Sequence, residues 1–184
     1  MMRRHELISD DYLAQQKVLH LLPQGYGGKG SRWSDAVVWL AQRFDCHSVL
    51  DYGCGEGSLR VAVNRKHPIL AVREYDPAIE GKDQQPSFAD LVVCTDVLEH
   101  VEPDKIGNVL RHIGALARKA ILLVVALTPS NKLLPDGTNA HILIRPVAWW
   151  DAQVEQQGWQ RCDAPDLPAK VTPEKYWVAV VQPC

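Results

Sequence analysis

A chain of 184 residues is long enough to bury one sizeable core, and one domain over 1–184 is the most economical expectation. A formal net charge of −2, with 46% hydrophobic and 23% charged residues, is ordinary for a globular chain and offers no broad basic field for tracking along nucleic acid, leaving room only for a local basic patch. The five cysteines, Cys46, Cys54, Cys94, Cys162 and Cys184, form no C-x-x-C pair, which disfavours a disulfide framework or structural zinc and points to a reducing cytoplasm.

No apolar signal core follows the charged start Met1-Met2-Arg3-Arg4-His5-Glu6, and the longest apolar run, 120–127, is too short to cross a bilayer. The first helix is expected over 9–22, capped by Ser9, Asp10 or Asp11 and packed through Tyr12, Leu13, Val18, Leu19 and Leu22. Pro23 and the run Gly25-Tyr26-Gly27-Gly28-Lys29-Gly30 end it in a loop, so that 1–30 makes a helix and loop able to act as a lid. A second helix follows over 34–44, with Val37, Val38, Leu40, Ala41 and Phe44 apolar.

Next comes the stretch on which the rest depends, Ser48-Val49-Leu50-Asp51-Tyr52-Gly53-Cys54-Gly55-Glu56-Gly57. It reads as a buried strand, a tight glycine turn and a helix that starts near Ser58 and continues over 59–64. Glycine suits positive φ and lets a backbone approach a ligand closely, and a helix N-terminus favours an anionic group. A dinucleotide fingerprint needs a third glycine at position 58, where this chain has Ser58.

A second strand enters at 68–72 and ends at Glu74-Tyr75-Asp76-Pro77, and the next clear strand is 90–95. The 14 residues or so between them are too few for a further helix and strand, since a crossover unit takes a dozen residues or more. A helix over 103–118 carries Ile106, Val109, Leu110, Ile113, Leu116 and Ala117 at helical spacing, and 119–127 is a strand covered on both faces. A long loop over 128–144, a helix over 147–157 opened by Pro146 and ended by Gly158, and strands at 159–163 and 176–181 complete the chain. Alternating helices and strands predict an α/β fold with a doubly wound, mainly parallel sheet.

The pattern Asp51-x-Gly53-x-Gly55-x-Gly57 closely resembles motif I of the class I S-adenosylmethionine (SAM) methyltransferases, and the likeness continues in order to about Trp159. The shortened segment after Pro77 departs from that family. The resemblance implies a Rossmann-like sheet with an antiparallel closing strand and SAM as cofactor. Contacts to SAM would come from Asp51, Tyr52, Gly53, Cys54, Gly55 and Gly57 at the turn, from Asp96 and Val97 at a later strand end, and from Lys29 to the methionine carboxylate. Asp76 matches the family's motif II acid, and an acid at that strand tip can accept hydrogen bonds from both ribose hydroxyls. Glu74, on the same strand face, is its rival. Asp83, Gln84 and Gln85 are equal candidates for holding adenine.

Asp96-Val97-Leu98-Glu99-His100-Val101 follows an apolar strand, so it falls at the sheet's carboxyl edge. It resembles the corresponding motif of ubiquinone-type O-methyltransferases, as does Gly137-Thr138 with His141 and Pro146, except that Asn139-Ala140 is inserted. More loosely, Asp96-x-x-Glu99-His100 with a later His141 resembles the metal-dependent 2′-O-methyltransferases of small-RNA ends, which carry Glu where this chain has Asp96. There is no D-P-P-Y-like run and no Pro-Cys nucleophile, which disfavours DNA amine and cytosine C5 methylation.

Two carboxylates and two imidazoles are a donor set suited to Mg²⁺ or Mn²⁺, so Asp96, Glu99, His100 and His141 are candidate ligands. Without a metal, His100 or His141 could serve as general base, with Glu99 beside them. Of the adjacent Trp149 and Trp150, one could line the pocket. The expected activity is methylation of a hydroxyl on a small molecule. Metal-assisted methylation of an RNA end and a non-catalytic SAM-binding interaction module are the alternatives.

Overall fold

The computed structural model describes residues 2–21, 26–169 and 171–183. The expected helix end at Leu22, the loop residues Pro23 and Gly25, and Cys184 lie outside these. A short helix α1 (Arg4–Leu7) precedes α2 (Asp10–His20), whose N-cap Ser9 accepts a hydrogen bond from the Tyr12 backbone N–H. A 3-10 turn, Gly30–Trp33, leads into α3 (Ser34–Arg43), and then come β1 (Ser48–Tyr52), α4 (Ser58–Lys66) and β2 (Ala71–Tyr75). Between β2 and β3 (Ala89–Thr95) there are only turns, as the short spacing required. The 3-10 turn Leu98–His100, α5 (Ile106–Leu116), β4 (Ala117–Ala126), α6 (Val147–Gln156), β5 (Gln160–Arg161) and β6 (Tyr176–Gln182) follow.

Several expected boundaries move: the strand expected to enter at 68 begins at Ala71, and the helix expected from 103 begins at Ile106. The helix expected over 103–118 stops at Leu116, because Ala117 pairs with Ala89 and begins β4. The strand expected at 159–163 shrinks to Gln160–Arg161, an outermost pair held only against β6.

The six strands run in the order β2-β1-β3-β4-β6-β5. β1 pairs in parallel with β2 and β3, β3 with β4, and β6 closes antiparallel on β4. Side chains alternate between faces with the two-residue period of a strand. Leu50, Val92, Cys94, Ile121 and Leu123 pack on α5 and α6. Val49, Leu91, Val93, Ala120 and Leu122 pack on Ala36, Val37 and Leu40 of α3 and on Leu59 and Val63 of α4. Trp150 is buried in the first of these layers and stacks at 5.9 Å on Trp177, and Trp149 packs against the same layer, so neither tryptophan forms part of a pocket wall.

The chain leaves β1 for β2 on one side and returns to β3 on the other, so the carboxyl ends of β1 and β3 form a topological switch point, where open α/β sheets bind ligands. A third apolar cluster caps this edge: Ile8, Tyr12, Leu13 and Leu19 meet Ala78 after β2 and Leu134 and Ala140 of the 128–144 loop. Val18, expected on the packed face of α2, is 47% exposed.

Candidate functional site

The carboxyl ends of β1, β2 and β3 open into a cavity of about 830 Å³, inside the range of about 300–1,000 Å³ typical of small-molecule sites. Its walls are the glycine turn, the tip of β2, the residues following β3 and the start of the 128–144 loop, and α2 with the 26–30 segment covers it.

The glycine turn is held from both sides. The Gly53 and Cys54 N–H groups donate to the Tyr75 carbonyl, the Glu56 N–H to the Gly27 carbonyl and the Gly57 N–H to the Cys54 carbonyl. Gly55 donates to Asp76 Oδ2 at 3.0 Å. These donors are therefore spent on the protein, and the expectation that they would reach a ligand is corrected: what the turn offers is a surface without Cβ atoms. Gly55 sits at φ +52°, and a Cβ there would strike the Gly27 carbonyl, so only glycine lets the 26–28 segment lie on the turn. Gly57 faces the other way. Its missing Cβ makes room for the Glu74 carboxylate and Lys82 Nζ, and it forms no part of the cavity wall.

The two acids expected near the turn differ sharply. Asp76 is buried, lines the cavity and accepts from the Gly55 N–H and, at 2.9 Å, from the Ala78 N–H. A carboxylate has about four acceptor positions, so about two remain for a ligand. Glu74 is occupied by Arg60 at 3.1 Å and Lys82 at 3.3 Å and does not reach the cavity. Asp51 is buried at the cavity wall with Oδ2 lacking any partner. Burial, then the charge of Glu74, pushes its pKa up to about 7. Such an orphaned oxygen fits a ligand cation, which would offset the cost of an unpaired buried acceptor.

Tyr52 lines the wall, as expected of a turn residue that meets the cofactor, while its hydroxyl pairs with His112 Nδ1 at 2.9 Å in the core. Cys54 is buried at the wall with its thiol pushed upward by desolvation, and Val97 packs over Gly53. Asp83, Gln84 and Gln85 are absent from this wall. Asp83 and Gln85 line a separate hollow with Arg3 and Arg4, which removes them as partners of anything bound in the main cavity.

Asp96 takes φ +57°, and its carboxylate receives Arg32 Nη2 at 2.6 and 2.7 Å and Trp33 Nε1 at 3.0 Å. Arg32 in turn stacks over Trp33 and Tyr176. This pairing takes Asp96 out of the expected four-residue metal set: the donor atoms that lie within 4.8 Å of one another belong to Glu99, His100 and His141. No spacing rule links position 32 to position 96, so no local pattern could have pointed to Arg32.

Glu99, expected beside the histidines in the catalytic set, is fully buried next to the two imidazoles and is not part of the cavity wall. Its Oε1 accepts from the Ala126 N–H at 3.1 Å and its Oε2 has no partner. Burial, reinforced by Asp96, pushes its pKa up to about 8. His100 and His141 both line the cavity, 4.7 Å apart between ring centres. His100 Nδ1 faces the Ala140 carbonyl at 2.7 Å and His141 Nδ1 the Thr128 carbonyl at 2.6 Å. A carbonyl only accepts, so each Nδ1 carries the proton and each Nε2 keeps a lone pair. Burial lowers both pKa values, that of His100 to about 3.

The Asn139-Ala140 insertion builds this corner. Asn139 Oδ1 accepts from the Ser130 and His141 N–H groups, and the Ala140 carbonyl fixes His100. Tyr26, noticed in the sequence only as part of a glycine loop, places its hydroxyl 3.0 Å from His100 Nδ1. Tyr12 donates to the His100 carbonyl at 2.6 Å, fastening α2 over the cavity. Lys29 lines the opening and is exposed, with no ion pair among the described residues.

Residues 9–167 match the family described as "Methyltransferase domain", most of the chain. The chain belongs to that family, among the class I SAM-dependent methyltransferases. No curated protein matches it in sequence. Among solved structures it is similar to a Burkholderia thailandensis 1,6-didemethyltoxoflavin-N1-methyltransferase with S-adenosylhomocysteine (SAH) bound (14% identity, TM-score 0.64, 100% of this chain and 91% of that one). It is also similar to the magnesium protoporphyrin IX methyltransferase of Synechocystis PCC 6803 with SAM bound (16%, TM-score 0.60, 100% and 99%) and to the mitomycin 7-O-methyltransferase (18%, TM-score 0.64, 91% and 59%). The chain spans 57% and 59% of the length of the first two solved structures it matches. At these identities the likeness is one of fold, and it accords with the Rossmann-like sheet expected. No helix among the described residues is long and apolar enough to cross a membrane.

Proposed function

We propose that this chain binds SAM in the cavity at the sheet's carboxyl edge and transfers its methyl group to a hydroxyl of a small molecule. One observation carries the reading: Asp76 is tied to the Gly55 turn with acceptor positions to spare, in the same cavity as His100 and His141. Bound there, SAM supplies an electrophilic methyl group. The orphaned Asp51 oxygen suits its ammonium, Lys29 its carboxylate, and the free positions of Asp76 its ribose hydroxyls. Cys54, Val97, Asp96 and the Tyr52 ring complete the wall, and Gly53 and Gly55 give the close approach.

His141 is the group that removes the acceptor's proton, since its Nε2 lone pair is free and it lines the cavity. His100, held neutral by burial, positions the acceptor, while Glu99 supports the imidazoles from behind. Alignment and deprotonation are what the protein contributes to such a displacement.

A second reading has its own observation. Glu99, His100 and His141 form a three-ligand group, and both imidazoles donate Nδ1–H to backbone carbonyls, the orientation usual for metal ligands. These residues would hold Mg²⁺ or Mn²⁺, which lowers the pKa of a coordinated hydroxyl, on a small molecule or at an RNA end. Calorimetry with SAH tests the shared premise, and no binding overturns both readings. If SAH binds, loss of turnover in His141→Ala with SAH affinity intact supports an enzyme over a non-catalytic module. Dependence on added Mn²⁺ separates the two enzymatic readings.

A further inference from the structure

Two elements cover the cavity, and each brings a side-chain donor to it: an amide on α2 without a hydrogen-bond partner, and an ammonium on the 128–144 loop without an ion pair, among the described residues. Gln16, on α2, is only 7% exposed, lines the cavity, and its amide Nε2 has no hydrogen-bond partner among the described residues. The neighbouring Tyr12 hydroxyl donates to the His100 carbonyl at 2.6 Å, and the Gln16 side chain approaches it without completing a hydrogen bond through Nε2. Lys132, on the 128–144 loop, is half-buried at the cavity wall and makes no ion pair among the described residues, although its backbone is fixed by bonds to Ser130 Oγ and Ala140 N–H. One turn beyond Gln16, His20 also lines the cavity with Nδ1 buried and unpartnered, and its ring lies 5.0 Å from that of Tyr26.

The cavity's own acids do not answer these donors. Asp96 is neutralised by Arg32, Asp76 accepts two backbone N–H groups, and Glu102 accepts the Ser9 N–H. Asp51 stands at the glycine turn with no hydrogen bond to its free oxygen, and Glu56 belongs to that turn as well. A buried amide donor without a partner is unfavourable, and an ammonium at a cavity wall without a counter-ion is free to take one from a ligand. A ligand that brings an anionic oxygen to this side of the cavity removes the first penalty and supplies the second group with a counter-ion.

We infer that the methyl acceptor is a hydroxy acid, a molecule carrying a carboxylate besides the hydroxyl to be methylated, and that Gln16 and Lys132 read that carboxylate. The inference rests on the SAM-dependent reading above and adds the substrate class. Gln16 and Lys132 are then specificity residues. Because α2 and the 128–144 loop meet through Leu13, Leu134 and Ala140, the carboxylate would also fasten the two covering elements together.

The test uses the SAH-loaded full chain and matched pairs of probes: mono- and dihydroxybenzoates and 2-hydroxy aliphatic acids, each against its neutral primary amide. Calorimetry is expected to show at least one acid binding about tenfold more tightly than its amide, the size of one charge-assisted contact. Lys132→Met and Gln16→Leu should each bring that ratio towards unity and raise KM more than they lower kcat, with the affinity for SAH unchanged. Equal binding of every acid and its amide overturns the inference, as does an acid preference that survives both substitutions. Failure of the wild-type chain to bind SAH would instead sink the underlying reading, so the two failures are told apart.

Discussion

The glycine-turn side of the cavity and the histidine side are built on opposite principles. At the turn, backbone meets backbone: the Tyr75 and Gly27 carbonyls and the Asp76 carboxylate take up the N–H groups of residues 53 to 56. Facing it, side chains from β3's end, α2 and the 128–144 loop converge, and Glu99 Oε2, Gln16 Nε2 and His20 Nδ1 have no partner. The difference teaches which side is finished before a ligand arrives. The turn, apart from Asp51 Oδ2, is satisfied by the fold itself, whereas Gln16 and His20 on the histidine side line the cavity with polar atoms that no described residue partners.

If that contrast is right, the largest effect comes from breaking the finished side. Gly55→Val would drive a side chain into the Gly27 carbonyl from a left-handed backbone, with strain alone of about 1–3 kcal/mol. SAH binding is expected to disappear in calorimetry, with a large fall in thermal midpoint. Asp76→Ala comes next. It strands the buried Gly55 and Ala78 N–H groups, costing roughly 2–4 kcal/mol in chemical denaturation, and SAH affinity falls at least about tenfold.

Asp51→Asn is smaller still in stability but informative in pH. With a pKa near 7, Asp51 gains its charge as pH rises through neutrality, so wild-type affinity for SAH should increase from pH 6 to 8. The Asn variant should bind about tenfold less tightly at pH 8 and lose the pH dependence.

Glu99→Gln sharpens the comparison from the unfinished side. Folding raises the Glu99 pKa from the usual carboxylate range, about 4.3, to about 8. The folded state therefore holds this proton more tightly, and the stability it contributes is full below about pH 4.3 and lost as pH rises through about 8. His100 has the opposite sign, since its pKa falls to about 3 and its contribution is lost as pH drops from about 6.5 through that value. Thermal unfolding should show the Gln variant flattening the decline between about pH 5 and 8 while leaving the acid limb unchanged. The smallest effect belongs to Asp83→Ala and Gln85→Ala, which lie away from the cavity and should leave SAH affinity within about twofold of wild type.

Legibility from sequence followed the same divide. The continuous apolar runs of β1, β3 and β4, the glycine spacing and the acid before Pro77 were readable because each is local, and the short 77–89 segment was readable from chain length alone. Gly57 was misread, since glycine spacing cannot tell a surface that meets a ligand from one that makes room for Glu74. Nothing local marked Arg32 as the partner of Asp96, and the position of Glu99 at the sheet's carboxyl edge did not tell that its carboxyl is fully buried.

By itself, the sequence determined the doubly wound sheet and the family, because strand and helix periods and a strand–glycine–helix bend are imposed by neighbouring residues through sterics and backbone hydrogen bonding. Only the tertiary structure decided which carboxylates are free, which are paired and which are hidden. Asp96 is neutralised from 64 positions away, Glu99 is cut off from solvent, and Gln16 is left without a partner. Burial and charge pairing depend on what the folded chain brings alongside a residue, and residues distant in sequence supply it.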